Sequence, residues 1–289
     1  MKFQEIIDTQ KCNLFLGFKK DLIIKKFKLN TSQKNECNQS YFDDTETYIN
    51  QIKLWCKTTI SNNGINTTVY KKSDGNPEGR IFVKDFGIQR LSRELRNWFC
   101  CENYLDFDMI NAHPTILYNY MKINHPDIKL SVLKKYISKR AEALQLMNVD
   151  KQSVLVYMNT DKPKYDKNNV VLSALIKNFK KCREAIFLNK PIDVEPTEGT
   201  NNPKSSYMNK LLCKIENDIL MSSQKNMLVP MYDGFMTKNN INIEEEIERL
   251  DNTPESVKYN VKWSNKLISS DLEYSDEDSG IDEPVEFKK

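Results

Sequence analysis

Asp108 and Asp233 lie 125 residues apart, and each sits inside a short apolar run. The first run is Tyr104-Leu105-Asp106-Phe107-Asp108-Met109-Ile110-Asn111-Ala112-His113-Pro114. The second is Leu228-Val229-Pro230-Met231-Tyr232-Asp233-Gly234-Phe235-Met236. A carboxylate in such a run costs burial energy unless it is paired or binds a cation. Asp106 and Asp108 are two apart on a predicted strand, so both side chains point to one face while Phe107 and Met109 point to the other. Asp233 precedes Gly234, which suits the tight turn of a hairpin. Two carboxylates that meet on adjacent strands have the chemistry to hold Mg²⁺ (or Mn²⁺). This hard cation takes one or two protein carboxylates and completes its shell with phosphate oxygens and water. A pair of such ions is the minimal equipment for in-line nucleotidyl transfer: one activates the attacking 3′-hydroxyl, the other steadies the pyrophosphate leaving group. Each motif alone also fits an ordinary turn or capping aspartate.

The elements that must position these groups read as follows. Residues 1–60 are expected to be mostly helical. Residues 61–79, rich in Asn, Gly and Thr, mark turns or a hairpin. Residues 86–99 place Ile88, Leu91, Leu95 and Trp98 on one helical face. The first Asp run reads as a strand, and Pro114–Met121 as a helix with proline near its first turn. Residues 128–158 and 170–188 read as helical, 189–206 as a long loop, and 207–226 as a helix before the second Asp run. An acidic helix (Ile243–Leu250) and a strand (Val257–Trp263) follow. The expected fold class is α+β: an antiparallel sheet bearing the carboxylates, with helices inserted between them. The expected organisation is a mostly helical region 1–78, a catalytic body 79–268 and an acidic tail 269–289 expected to be disordered or a linker.

The order Gly79-Arg80, Gln89, Arg96, Asp108, Lys151, Asp233 resembles the palm and fingers of family A DNA polymerases and single-subunit phage RNA polymerases. The forms DFDMINAHPTIL and MYDGF are similar to the transposon–virus polymerase group, which includes virophage primase-polymerases fused to a superfamily 3 helicase. The resemblance covers roughly residues 79–265. It implies a palm with helical fingers, Asp108 and Asp233 as metal ligands, and Lys151 on the incoming triphosphate. It implies Leu155 against the nascent base pair, and Asn159 where the family usually carries Tyr. It places Arg80 at the primer terminus or its template partner, Gln89 and Arg96 in support of that strand, and Glu216 at the duplex minor groove. Tyr232 stands where the family usually has His. Met147 stands where it has Arg, with Arg140 as the substitute. The change at Asn159 leaves dNTP against NTP preference open. The implied partners are DNA template and primer, nucleoside triphosphates and a superfamily 3 helicase, and the implied setting is a host's cytoplasmic viral factory or nucleus.

Other residues keep two readings. Asn111 is placed beside the nucleotide, with a structural role equally open. His113 is read as a structural hydrogen-bonding residue at the strand-to-helix turn, ahead of a ligand role. Asp106 is read as the partner of a nearby Arg or Lys, ahead of an auxiliary acid. Arg90 and Arg93 read as solvated, and Trp55, Trp98 and Trp263 as core.

Composition sets the bounds. Apolar residues make up 39% of 289, enough for a core, and charged residues 29%. No run approaches about 18 apolar residues, so no membrane span is expected, and the N-terminus does not read as a signal peptide. Seven cysteines without a CxxC pair and two histidines argue for reduced thiols in an intracellular compartment rather than zinc. Residues 269–287 carry eight of the 40 acids and no base; with Lys288 and Lys289 set aside as well, residues 1–268 hold 41 bases against 32 acids, a balance of +9. A basic body suits a polyanionic partner. There is no G-x-x-x-x-G-K-[ST] loop and so no ATPase motor of that type. Two alternatives to a polymerase or primase-polymerase are an archaeo-eukaryotic-type primase, which places an isolated histidine between its acids, and a decayed polymerase fold retained as a nucleic-acid-binding, helicase-associated module.

Overall fold

The structure is a computed structural model that describes residues 1–29, 44–73, 75–193, 201–266 and 268. Two antiparallel sheets carry it. The first has the order β1-β2-β3, formed by β1 (Lys2–Ile6), β2 (Ile65–Ser73) and β3 (Asn76–Val83). The second has the order β5-β6-β4-β7, formed by β4 (Tyr104–Met109), β5 (Val229–Pro230), β6 (Gly234–Lys238) and β7 (Trp263–Lys266). The α+β expectation with antiparallel sheets holds.

The alternating pattern of β4 divides its side chains between two cores. Phe107 and Met109 are buried in the larger one, with Phe235 and Trp263 from the neighbouring strands. That core is closed by α5 (Ala112–Asn124), α9 (Val170–Asn189) and α10 (Pro203–Ser222). Phe107 and Phe235 are register partners whose rings stack at 5.8 Å, and burying such rings is worth several kcal/mol each, about 3–5 on truncation to alanine. Tyr104 and Met236 belong to the second core, built on α1 (Thr9–Gly17), α2 (Lys20–Lys26), α3 (Thr45–Ser61) and α4 (Arg93–Cys100). By strand alternation Tyr104 shares a face with Asp106 and Asp108, so one end of the carboxylate face is covered.

Several expectations are corrected. The N-terminal region opens with a strand, β1, whose five residues pair with β2 from Lys2↔Val69 to Ile6↔Ile65. A boundary between residues 78 and 79 falls inside β3, and the second core mixes Ile7–Cys56 residues with Ile88–Tyr104 residues. The N-terminal region is therefore part of the body. Residues 128–158 form three helices, α6 (Ser131–Ser138), α7 (Arg140–Met147) and α8 (Lys151–Met158). The break before α8 has a local cause: Asn148 adopts the left-handed conformation (φ 50°), and the Asp150 carboxylate caps the next helix by accepting from Ser153 N. The predicted strand Val257–Trp263 is split. After α11 (Ile243–Asp251), Thr253 caps α12 (Pro254–Tyr259), with Pro254 at its first position and Asn260 (φ 49°) ending it. Only β7 remains extended. The expected acidic tail lies outside the described residues.

Candidate active site

β4 and β6 bring the two aspartates together. Asp108 pairs in register with Gly234, and Met109 N donates to Asp233 O at 2.9 Å. Gly234 is required by that approach: an added Cβ would overlap the Phe107 carbonyl oxygen. Burial raises the Asp108 carboxyl to a pKa of about 7, and the charge of Asp233 beside it adds to the rise. Lys266 opposes both. Its Nζ lies 2.5 Å from Asp108 Oδ2, reaching diagonally from β7, where Lys266 itself pairs with Asp106. Asp106 is also pushed above the ordinary carboxylate range, by burial first, while Arg96 and then Lys266 draw it back.

Beside the carboxylates lies a cleft lined by Arg80, Met109, Asn111, His113, Lys151, Leu155, Glu216 and Asp233, with Ala112 and Pro114. Its walls come from β3, the β4–α5 turn, α8, α10 and the β5–β6 hairpin. Asn111 makes that turn by adopting the left-handed conformation (φ 54°), which a short polar side chain tolerates better than most. Its side chain is buried and its Nδ2 finds no partner among the described residues.

The floor of the cleft is a three-residue ion cluster. Arg80 forks onto the fully buried Glu216 through Nε–Oε1 at 2.6 Å and Nη2–Oε2 at 2.8 Å. His113 Nε2 lies 2.8 Å from Glu216 Oε2. Burial works against every charge here, yet mutual attraction wins. Burial lowers the His113 imidazole, but Glu216 lifts it to about 9. Burial raises the Glu216 carboxyl, but His113 and then Arg80 bring it below its ordinary value. The Arg80 guanidinium also stands 5.8 Å from the centre of the Tyr232 ring, which packs on Phe82 at 5.9 Å. The residue before Asp233 is thus held from β3.

The sequence-predicted residues divide into two groups. Asp233, Arg80, Asn111, Lys151, Leu155 and Glu216 line the one cleft, and Asp108 adjoins it through Asp233. Glu216, however, is turned inward onto Arg80 and His113 and is fully buried. His113 bonds across to α10 rather than within its own turn. Gln89 does not face the cleft. It is buried, accepts from Val83 N at 2.9 Å, and donates to Ile81 O at 3.2 Å and Pro230 O at 3.1 Å. Its work is to tie β3 to the β5–β6 hairpin. Arg96, half-buried on α4, lies on the Asp106 side, with Nη1 donating to Leu91 O. Arg140 begins α7 and Asn159 caps the end of α8; neither lines the cleft. Lys266 and Phe82 went unnoticed in the sequence. Lys266 lies in a polar Trp-Ser-Asn-Lys strand, and only its register opposite Asp106 gives it significance.

The donor set fits Mg²⁺ or Mn²⁺ in the form that relies on substrate oxygens and water. Two adjacent carboxylates repel, and a divalent cation between them removes that cost. Among the described residues no group of three or more His, Cys, Asp or Glu could hold a metal on its own. The enclosed part of the cleft, about 90 Å³, holds only part of a nucleotide, since pockets that swallow a whole ligand run to roughly 300–1,000 Å³. A larger cavity, about 320 Å³, lies between α3, β2 and the segment after β3; no Lys or Arg lines it, so it is unsuited to a triphosphate. No helix among the described residues is long and apolar enough to cross a membrane.

No model of a known protein family matches the chain, and no curated protein matches it.

Proposed function

We propose that this protein is a template-directed nucleotidyl transferase, a DNA polymerase or primase-polymerase, working at Asp108 and Asp233 with two divalent metal ions. One observation carries the reading. Residues from five separate segments (Arg80, Asn111, Lys151, Glu216 and Asp233) line a single cleft beside a second, paired carboxylate. Their order matches the polymerase palm and fingers, with β4 and the β5–β6 hairpin as the palm and α8 as the finger helix facing it.

When bound, the metal ions supply the charge that activates a 3′-hydroxyl and stabilises pyrophosphate. The chain's own residues do the rest. Asp108 and Asp233 anchor the ions from strands fixed by the Phe107–Phe235 stack. Lys151, exposed on the first turn of α8, meets the triphosphate as a point charge. Leu155, one turn further along α8, offers an apolar surface to the base. The Arg80–Glu216–His113 cluster fixes the opposite wall and presents the edge of the Arg80 guanidinium to the primer strand. Positioning and electrostatics suffice, so no covalent intermediate on the protein is required. A DNA template and primer, and nucleoside triphosphates, are the partners this reading requires.

The archaeo-eukaryotic-type primase would place a histidine on its own strand between the acids; here His113 lies in the first turn of α5 and is taken up by Glu216. His125 ends α5 at the opposite terminus from His113, beside Tyr120, which places it about 20 Å away along the helix. The decayed-module alternative conflicts with the presence of both carboxylates and Lys151. Incorporation on single-stranded DNA, with and without a primer, using dNTPs and NTPs separately, tests the proposal. Wild type should extend and Asp233→Ala should not. Synthesis by Asp233→Ala at the wild-type rate would overturn it.

A further inference from the structure

Lys266 occupies the carboxylate on which the proposed metal chemistry depends. Its ammonium lies 2.5 Å from Asp108 Oδ2, although the two residues are not register partners. The residue directly opposite Lys266 is Asp106, on the same face of β4. Asp106 is half-buried, and among the described residues its carboxylate makes no hydrogen bond or ion pair; Arg96 and Arg93 act on it only at longer range. Lys266 is 55% exposed and so keeps the freedom to move. The ammonium takes up one oxygen of Asp108, and its positive charge opposes a cation approaching the same carboxylate.

We propose that Lys266 is a positioning residue with two stations. Without a divalent cation its ammonium rests on Asp108 and offsets the repulsion from Asp233; when a cation takes Asp108, Lys266 moves one pleat along β4 and pairs with Asp106. The second station gives the half-buried Asp106 carboxylate an ion-pair partner directly across the sheet. The exchange makes metal entry a competition between one charge and two, so the site stays closed to monovalent ions and opens to divalent ones. This inference rests on the reading of Asp108 and Asp233 as metal ligands.

The test is Mn²⁺ binding followed by electron paramagnetic resonance on the full chain, with no nucleotide present. Lys266→Met removes the competitor and should tighten Mn²⁺ by about threefold, the scale of an exposed ion pair. Asp106→Asn removes the second station and should weaken Mn²⁺ by a similar factor. In the Lys266→Met background Asp106→Asn should do nothing, because the two residues act as a unit. Unchanged or weaker binding in Lys266→Met overturns the proposal. So does an equal loss from Asp106→Asn in both backgrounds, which would make Asp106 a metal ligand itself. Either result leaves the carboxylate pair standing, provided Asp108→Asn abolishes binding. Binding that survives Asp108→Asn would instead overturn the metal-site reading, and this inference with it.

Discussion

The Gln89 side-chain amide donates to the Pro230 carbonyl at 3.1 Å while its carbonyl oxygen accepts from Val83 N at 2.9 Å. These bonds join the strand that carries Arg80 to the hairpin that carries Asp233. The two walls of the candidate site belong to different sheets, and Gln89 sets their separation from within the core.

Gln89→Ala should therefore destabilise the protein by about 3 kcal/mol, because it leaves buried backbone groups of both sheets unpaired. Urea denaturation would measure this. Nucleotide affinity should fall as well, since Arg80 and Asp233 lose their common tether. A loss of less than about 0.5 kcal/mol would contradict the role.

The ion cluster gives stability a defined pH dependence. His113 has its pKa raised to about 9 by Glu216, so its contribution is complete below its unfolded value near 6.5 and is lost as pH rises through about 9. Glu216 is shifted the other way; its contribution is present above its unfolded value of about 4.3 and is lost only as pH falls through a still lower one. The cluster is at full strength between those limits. Between pH 6 and pH 9 the wild type should lose about 3 kcal/mol more than His113→Gln. Parallel pH profiles of the two proteins would refute the assignment.

Metal affinity should follow the Asp108 proton. With a pKa of about 7, Asp108 binds a proton that a cation must displace, so Mn²⁺ affinity should rise about tenfold per pH unit below 7 and level off above it. In the absence of metal the sign for stability is the reverse. The raised pKa makes ionisation of Asp108 costly as pH climbs from its unfolded value of about 3.9 towards 7. Calorimetric titration at pH 5.5, 6.5 and 7.5 distinguishes this from a flat profile, which would contradict it.

Gly234 leaves no room for a side chain against the Phe107 carbonyl. Gly234→Ala should part β4 from β6 at the level of Asp108, at a cost of about 2 kcal/mol or more, and should lower Mn²⁺ affinity in step. Normal stability with normal metal binding would show that the close approach is not needed.

Lys151→Ala should raise the apparent KM for nucleotide about tenfold, the scale of one charge-assisted contact. Steady-state kinetics would show it, and an unchanged KM and kcat would remove Lys151 from the triphosphate site.

What the sequence made legible follows from local physics. The DFDM strand announced itself by alternation, Asp233-Gly234 by turn chemistry, and α9 and α10 by helical periodicity. The breaks at Asn148 and Asn260 did not, because a left-handed asparagine has no periodic signature and its capping partners are read only afterwards. β1 was hidden because KFQEI is short and half-polar, and it becomes a strand only through pairing with β2. In the site, the residues that line the cleft were named from motif order. The inward turn of Gln89 and Glu216 was not, since each is a polar residue with a decisive partner, Pro230 or Arg80, that lies 141 or 136 positions away in the chain. Lys266 was invisible for the same reason: its meaning lies in sheet register, which a single sequence does not print.

Anomalous diffraction would show whether Asp108 and Asp233 hold the metals of a nucleotidyl transfer site. Crystals would be soaked with Mn²⁺ and a non-hydrolysable nucleoside triphosphate. Two peaks about 3.5–4 Å apart, shared by Asp108 and Asp233, are expected, with the triphosphate against Lys151. Mn²⁺ bound elsewhere, or nucleotide bound with no Mn²⁺ at Asp108 and Asp233, would contradict it.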